Sequence, residues 1–122
     1  MFGDVELRES IISIYHILCA THKITFEWKT EENKVSGTVQ LNSTFSYTSN
    51  FYDIPSLPEK EKNHILVAGM LAHDHFIPVI EEICKAHGLG EIYTEQIRRY
   101  RRYLSLFSAS IFFPPDARAI IN

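Results

Sequence analysis

The chain has 122 residues, of which 45% are hydrophobic and 12% aromatic, so it can bury the apolar surface that one compact domain needs. Its formal net charge of −3 excludes the strongly basic composition that is typical of a dedicated nucleic-acid-binding domain. Residues 1–61 carry five basic and nine acidic residues, whereas residues 62–122 carry seven and six. We therefore predict a single globular domain over residues 1–122, with a small excess of positive charge in its second half.

Two other classes of protein, membrane proteins and secreted disulfide-stabilised domains, do not fit the sequence. No apolar run approaches the roughly 20 residues that are needed to span a bilayer. The first ten residues, MFGDVELRES, carry acidic groups where a signal peptide has a basic start and an apolar run. The two cysteines are too few for a disulfide scaffold. We therefore predict a cytoplasmic protein that does not enter a membrane.

The first half of the chain predicts one helix followed by antiparallel strands. Apolar residues recur at near-helical spacing in DVELRESIISIYHILCATH, which indicates a helix over roughly residues 5–21. The segment ITFEWK then alternates apolar and polar residues, as a half-buried strand does. The same alternation continues over residues 35–47. It predicts one long strand, or two strands with a bend near Asn42, paired with the first strand as a hairpin.

The second half begins with a helix that must break. Ser56 and Glu59 form a Ser-x-x-Glu capping pattern, so we expect a helix to begin near Leu57 and to be buried on nearly all sides. Pro78 clashes with the carbonyl group four residues before it. The helix should therefore kink or restart at HDH, and Asp74 is the expected cap of the new segment.

The remaining residues predict two further elements. The restarted helix should end at Gly88 in a left-handed conformation, and a last helix should cover about residues 92–107. The segment SASIFF, before Pro114 and Pro115, could add a short closing strand. The predicted fold class is therefore α+β: an N-terminal helix, an antiparallel hairpin or small sheet, and a mainly helical C-terminal half.

The segment LAHDHFIPVIEEICKAH is rich in residues that bind metals or transfer protons. On a regular helix, His73 and His75 point in different directions, and neither has a metal ligand three or four positions away. They could share an ion only if the backbone at the junction were irregular. We therefore interpret the junction as local packing. A small metal-dependent enzyme that uses His73, Asp74 and His75 remains an alternative.

Each cysteine is followed by a histidine three positions later, as Cys19 with His22 and Cys84 with His87. If the two pairs met, they would offer the four ligands that tetrahedral zinc accepts, although neither spacing matches a common zinc signature. We instead expect both cysteines to be buried and unreactive, since burial raises the pKa of a thiol. No catalytic or phosphate-binding motif occurs elsewhere, so we predict no cofactor and no metal, and the sequence leans against an enzyme.

The basic run IRRYRRY can be interpreted in two ways. Its arginines could contact phosphates while its tyrosines stack on bases, which would make a nucleic-acid-binding module. Alternatively, Arg98 pairs with Glu95 one turn earlier, and the arginines form an exposed face that meets an acidic protein. We favour the protein partner and expect any nucleic-acid binding to be weak and to disappear near physiological salt.

The segment SYTSNFYDIP is predicted to be a loop, because Phe51 and Tyr52 lie between the turn-forming Asn50 and Asp53. Large aromatics in such a loop contact a partner unless they fold back onto the core. We therefore predict a small inhibitor of the immunity-protein or phage-inhibitor type, which acts by blocking another protein. The residues predicted to bind the partner are Phe51, Tyr52, Asp53, Arg98, Arg99 and Arg102.

Overall fold

The computed structural model describes residues 2–52 and 57–104. The elements are α1 (Phe2–Ala20), β1 (Thr25–Thr30), β2 (Lys34–Gln40), β3 (Ser46–Tyr52), α2 (Glu59–Leu71), α3 (Phe76–Ala86) and α4 (Gly90–Leu104). This arrangement confirms the predicted α+β fold class, with an N-terminal helix, a small antiparallel sheet and a helical second half. The predicted closing strand, SASIFF, lies outside the described residues.

The sheet is a three-stranded antiparallel meander in the order β1-β2-β3. Of the two predicted arrangements, it is the one with a bend near Asn42. The side-chain oxygen of Asn42 accepts hydrogen bonds from the backbone N–H groups of Thr44 and Phe45, both at 2.8 Å, and so closes the turn between β2 and β3. The predicted loop SYTSNFYDIP is wrong over its first seven residues, because Ser46–Tyr52 pairs with β2 along its full length.

The alternating sequence gives the sheet two different faces. Trp28 and Phe51 belong to the inner face, which packs against α2. Gly37 lies opposite Trp28 in the strand pairing, and a Cβ atom at Gly37 would lie 2.5 Å from the indole ring. The absence of a side chain at Gly37 therefore lets the ring lie flat across β2. The outer face carries polar side chains, of which those of Ser36 and Asn50 are hydrogen-bonded at 2.7 Å.

Helix α2 is the centre of the fold, as predicted, since almost every residue from Asn63 to Leu71 is buried. It packs against α1 on one side and against the sheet on the other, while α4 packs against α1 and α3. Pro58 occupies the N-cap position without a side-chain cap hydrogen bond. The predicted cap, Ser56, lies outside the described residues. Of the helices in residues 2–52 and 57–104, none combines the length and apolar character that crossing a membrane requires.

The predicted break before Pro78 is confirmed, and α3 starts at Phe76 after a short turn. Asp74 does not cap α3, which is a correction to the sequence interpretation. His75 is at the N-cap position without a side-chain cap bond, and the backbone carbonyls of His73 and Asp74 accept from the N–H groups of Phe76 and Ile77, both at 3.1 Å. Because these carbonyls already satisfy the first donors of α3, a capping carboxylate is not needed there.

The C-terminal end of α3 agrees with the prediction. Gly88 has φ of +73°, in the left-handed region. The backbone N–H of Leu89 donates to the carbonyl of Cys84 at 2.8 Å, and that of Gly88 donates to the carbonyl of Lys85 at 3.1 Å. This pair of hydrogen bonds is the Schellman motif, which ends the helix and turns the chain toward α4.

A chain of side-chain hydrogen bonds joins the sheet to both central helices. The indole N–H of Trp28 on β1 donates to Oδ1 of Asn63 on α2 at 2.7 Å. The amide nitrogen of Asn63 donates in turn to the hydroxyl of Tyr15 on α1 at 3.2 Å. Asn63 is only 7% exposed, so water cannot replace either partner freely.

Replacing Asn63 with alanine should lower the free energy of unfolding by about 2–3 kcal/mol, because the indole N–H loses its acceptor and a small cavity forms. Urea unfolding followed by far-UV circular dichroism measures this loss. Asn50→Ala is the matched control, since it removes an exposed amide bonded to Ser36 and should change the free energy by about 0.5 kcal/mol or less. A loss at Asn63 no larger than that of the control would show that the hydrogen-bond chain does not join the elements.

Candidate functional site

Helix α4 has one packed side and one side exposed to solvent. Tyr93, Ile97 and Tyr100 are buried on the packed side, as the apolar spacing predicts. Arg98 and Arg102 lie on the exposed side. The helical period therefore places Tyr100 of the run IRRYRRY in the core, and Arg98 and Arg102 of the same run in contact with solvent.

The arginines of α4 differ in their ionic partners. Nη1 of Arg98 lies 3.4 Å from Oε2 of Glu95, as predicted, but both side chains are more than half exposed and such a pair contributes little stability. Arg99 is half-buried. Among the described residues, no carboxylate lies within ion-pair distance of Arg101. Arg101 is thus a guanidinium close to the protein surface without a described carboxylate to neutralise it.

The positive charge of Arg101 influences the pKa values of two buried tyrosines. The pKa of Tyr100 is raised to about 12, mainly by its burial and also by the negative charge of Asp74, while the positive charge of Arg101 opposes both effects. Arg101 acts in the same direction on Tyr93, whose pKa burial also raises. Arg101 is itself exposed to solvent.

A cleft of about 330 Å³ lies between α3 and α4. Its floor is made by Ile77, Tyr93 and Ile97, and its edges include Pro78, Arg98 and Arg101. The hydroxyl of Tyr93 donates to the backbone carbonyl of Ile77 at 3.0 Å, which fixes the distance between the two helices. We refer to this feature as the α3–α4 cleft.

The aromatic residues that were predicted to bind a partner are placed differently from the arginines. Phe51 is 2% exposed and packs in the core. It therefore folds back onto the protein, as the alternative interpretation of this segment expects, and offers no surface to a partner. Tyr52, at the end of β3, is 41% exposed. Asp53 lies outside the described residues. Strand β3 packs on β2 and α2, whereas α4 packs on α1 and α3, so the predicted residues belong to separate parts of the surface.

The HDH junction has the irregular backbone that the sequence analysis left open. Residues 72–75 form a turn, and the ring centroids of His73 and His75 are 6.0 Å apart. The ring of Tyr47 from β3 lies 5.5 Å from that of His73. The irregular backbone therefore brings the two exposed histidines together. Within the described part of the chain, however, no three histidine, cysteine or acidic side chains lie close enough to hold a metal ion.

The two cysteines have different environments. Cys84 is buried, and burial raises its pKa to about 11, as expected for an unreactive thiol. Cys19 is exposed, which contradicts the expectation that both are buried. Cys19 lies near the end of α1, on the side of the helix that the other elements leave uncovered. The two Cys-His pairs, Cys19 with His22 and Cys84 with His87, are likewise not part of any group of three potential metal ligands among the described residues.

A histidine cluster between α1 and α2 was not expected from the sequence. His64 on α2 is 8% exposed, and its ring packs edge-to-face on Tyr15 with centroids 4.8 Å apart. The ring of His16 lies 6.5 Å from that of His64. Burial lowers the pKa of His64, and the positive charges of His16 and Lys60 lower it further. The sequence signal that could have found it is a single histidine within the long apolar run of α2.

The stability of the protein should fall as pH decreases below about 6.5. The unfolded chain protonates His64 near its ordinary pKa of 6.5, whereas the folded chain holds that pKa lower and takes up the proton only at more acidic pH. The contribution of His64 to the free energy of unfolding is therefore complete above about pH 6.5 and is lost as the pH falls below that value. Urea unfolding of the protein and of His64→Gln at about pH 7.5 and pH 5.5 measures the difference. The variant should lose less stability on acidification, and His75→Gln, which keeps His64, should decline like the parent chain.

Alkylation should distinguish the two thiols. In the folded protein at about pH 8, iodoacetamide should modify the exposed Cys19, while Cys84 should stay unmodified because it is buried and largely protonated. Mass spectrometry of proteolytic fragments gives the extent of modification at each residue. Both cysteines should react in guanidinium chloride, and equal rates in the folded protein would contradict the described burial of Cys84.

Comparisons with protein-family models, with curated protein sequences and with solved structures found no match for this chain. The functional argument therefore depends on the surface chemistry of the chain itself. The exposed side of α4 and the adjoining α3–α4 cleft combine positive charge with apolar surface. We take them together as the candidate functional site.

Proposed function

We propose that this chain is a small protein-binding domain that blocks an acidic partner protein, in the manner of immunity proteins and phage inhibitors. The proposed binding surface is the exposed side of α4. The observation that supports it best is the guanidinium of Arg101 at the edge of an apolar cleft, with no carboxylate of residues 2–52 and 57–104 within ion-pair distance. Arg98 and Arg102 extend the positive surface along the same helix.

The chemistry of arginine suits this role. A guanidinium group forms two parallel hydrogen bonds with a carboxylate, and arginine is frequent among residues that dominate interface energies. The existing pair between Arg98 and Glu95 is exposed and weak, so exchanging Glu95 for a partner carboxylate costs little. An acidic protein surface can therefore bind without the loss of strong internal interactions.

Nucleic acid is the second ligand that a cluster of arginines can bind. Single-stranded nucleic acid usually also requires aromatic rings on which the bases stack. Tyr93 and Tyr100 are each 1% exposed and are not available for stacking, which leaves the half-buried Tyr103 as the one tyrosine of α4 with exposed ring surface. Together with the net charge of −3, this favours carboxylates over phosphates as the anions that α4 binds.

Affinity purification from the source cells, after nuclease treatment, tests this proposal. The tagged full chain should recover an acidic protein, and the double variant Arg98→Glu/Arg102→Glu should reduce its recovery by about tenfold or more, since charge reversal replaces attraction by repulsion. Lys29→Glu makes the same kind of change on the outer face of the sheet and serves as the matched control. Tyr52→Ala, on β3, tests whether the partner also contacts the sheet.

The proposal also predicts inhibition, so the activity of the recovered partner should fall when the purified chain is added at an equal amount. Three results would contradict the proposal. They are recovery that depends on nucleic acid, recovery that is unchanged by the double variant, and a partner whose activity is unaffected by binding. Circular dichroism of each variant establishes that its fold is intact before the comparison is made.

A further inference from the structure

We infer that the α3–α4 cleft binds a single apolar side chain from an acidic segment of the partner, and that Arg98 and Arg101 bind carboxylates beside it. This inference rests on the proposed function, because it names the chemistry of the partner at the same surface. The recognised element is therefore a leucine-sized or phenylalanine-sized residue with an aspartate or glutamate close to it in sequence.

The interior of the cleft is apolar and of a suitable size. Ile77 and Ile97 form the floor and retain 5% and 6% exposure. The volume of about 330 Å³ is at the lower end of the range for binding pockets and leaves room for one large side chain. Because this floor is already almost fully buried, most of the apolar surface that binding removes from water belongs to the side chain of the partner, and its burial is the main favourable contribution.

The cleft is also formed before any partner arrives. The hydrogen bond from the hydroxyl of Tyr93 to the carbonyl of Ile77 holds α4 against α3, and Tyr93 is itself buried. Pro78 at the edge has a fixed backbone φ angle, which limits movement of the first turn of α3. Binding therefore needs little rearrangement, and less of the interaction energy is lost to ordering.

The charges at the edge of the cleft specify the rest of the ligand. Glu81 is the acidic residue at this edge, and its carboxylate lies 3.2 Å from Nζ of Lys85. Arg98 is paired only weakly with Glu95, and Arg101 has no described carboxylate partner. The edge thus has an excess of positive charge next to an apolar floor. An acidic segment supplies Arg101 with the carboxylate that the described part of the chain does not provide, whereas a basic or neutral segment supplies none.

A selection from a random peptide library on the full-length chain tests the inference. The enriched peptides should share one Leu, Ile, Phe or Met flanked by Asp or Glu. Fluorescence anisotropy with a labelled, enriched peptide should show binding that weakens about tenfold or more when its apolar residue is replaced by serine. Enrichment of basic peptides, of peptides without an apolar residue, or of none would overturn the inference.

Substitutions in the chain test whether the peptide binds in the α3–α4 cleft. Thr94→Trp fills the cleft from an exposed position without altering the core, and Arg101→Glu reverses the charge at its edge. Both should weaken peptide binding by about tenfold or more. Arg102→Glu makes the same charge change one residue away, outside the cleft, and should weaken it much less.

The result also separates this inference from the proposed function. If the three variants weaken binding of the peptide and of the partner equally, the exposed side of α4 binds the partner but the cleft has no special role. If Thr94→Trp has no effect at all, the inference is wrong, whatever the charge variants do. The inference stands only if Thr94→Trp and Arg101→Glu act more strongly than Arg102→Glu.

Discussion

The side-chain amide of Asn63 determines how the two halves of this fold meet. It accepts a hydrogen bond from Trp28 on the sheet and donates one to Tyr15 on α1, so a single buried group fixes three elements relative to one another. Helix α2 is apolar on almost every side, and apolar contacts alone allow such a helix to rotate or slide. A directional polar contact in the middle of this surface selects one arrangement.

The position of the candidate site follows from that arrangement. Helix α4 packs mainly on α1, which Asn63 holds against α2 and the sheet. A second directional contact, from the hydroxyl of Tyr93 to the carbonyl of Ile77, holds α4 against α3. With both contacts in place, the buried side of α4 is fixed and its arginines face solvent beside the α3–α4 cleft. Two hydrogen-bonding side chains in the core thus orient this surface, Asn63 from a distance and Tyr93 from the floor of the cleft.

The sequence was sufficient for the parts of the fold that depend on local chemistry. Gly88 and the break before Pro78 were predicted correctly, and the bend at Asn42 was one of two predicted alternatives, because each depends on the backbone preferences of one or two residues. The alternation that identified β2 in fact continues through Tyr47, Ser49 and Phe51, and could have extended the prediction to all of β3. The turn-forming residues beside Phe51 were given more weight than this alternation, so a strand was interpreted as a loop.

The features that the sequence did not predict depend mainly on contacts between residues far apart in the chain. Trp28 and Asn63 are 35 positions apart, and Tyr15 and Asn63 are 48 positions apart, so no local pattern relates them. At the HDH junction, the sequence predicted a break but not its geometry, which brings the rings of the two histidines to 6.0 Å from each other. The exposure of Cys19 likewise depends on which elements cover the end of α1, and the sequence of α1 does not contain that information.

The structure of α4 explains why the same seven residues, IRRYRRY, were open to two interpretations and why one is now favoured. A linear pattern of arginines and tyrosines suits both phosphates with stacked bases and carboxylates with apolar neighbours. The helical period places Tyr100 in the core and Arg98, Arg101 and Arg102 at the surface, so of the two tyrosines in the run only the half-buried Tyr103 lies near the charges. The apolar floor of the cleft beside the arginines is formed by Ile77, Ile97 and the buried Tyr93. A recessed apolar floor accepts a single protein side chain better than it stacks on a flat base, so the packing of α4 favours a protein over a nucleic acid as the ligand.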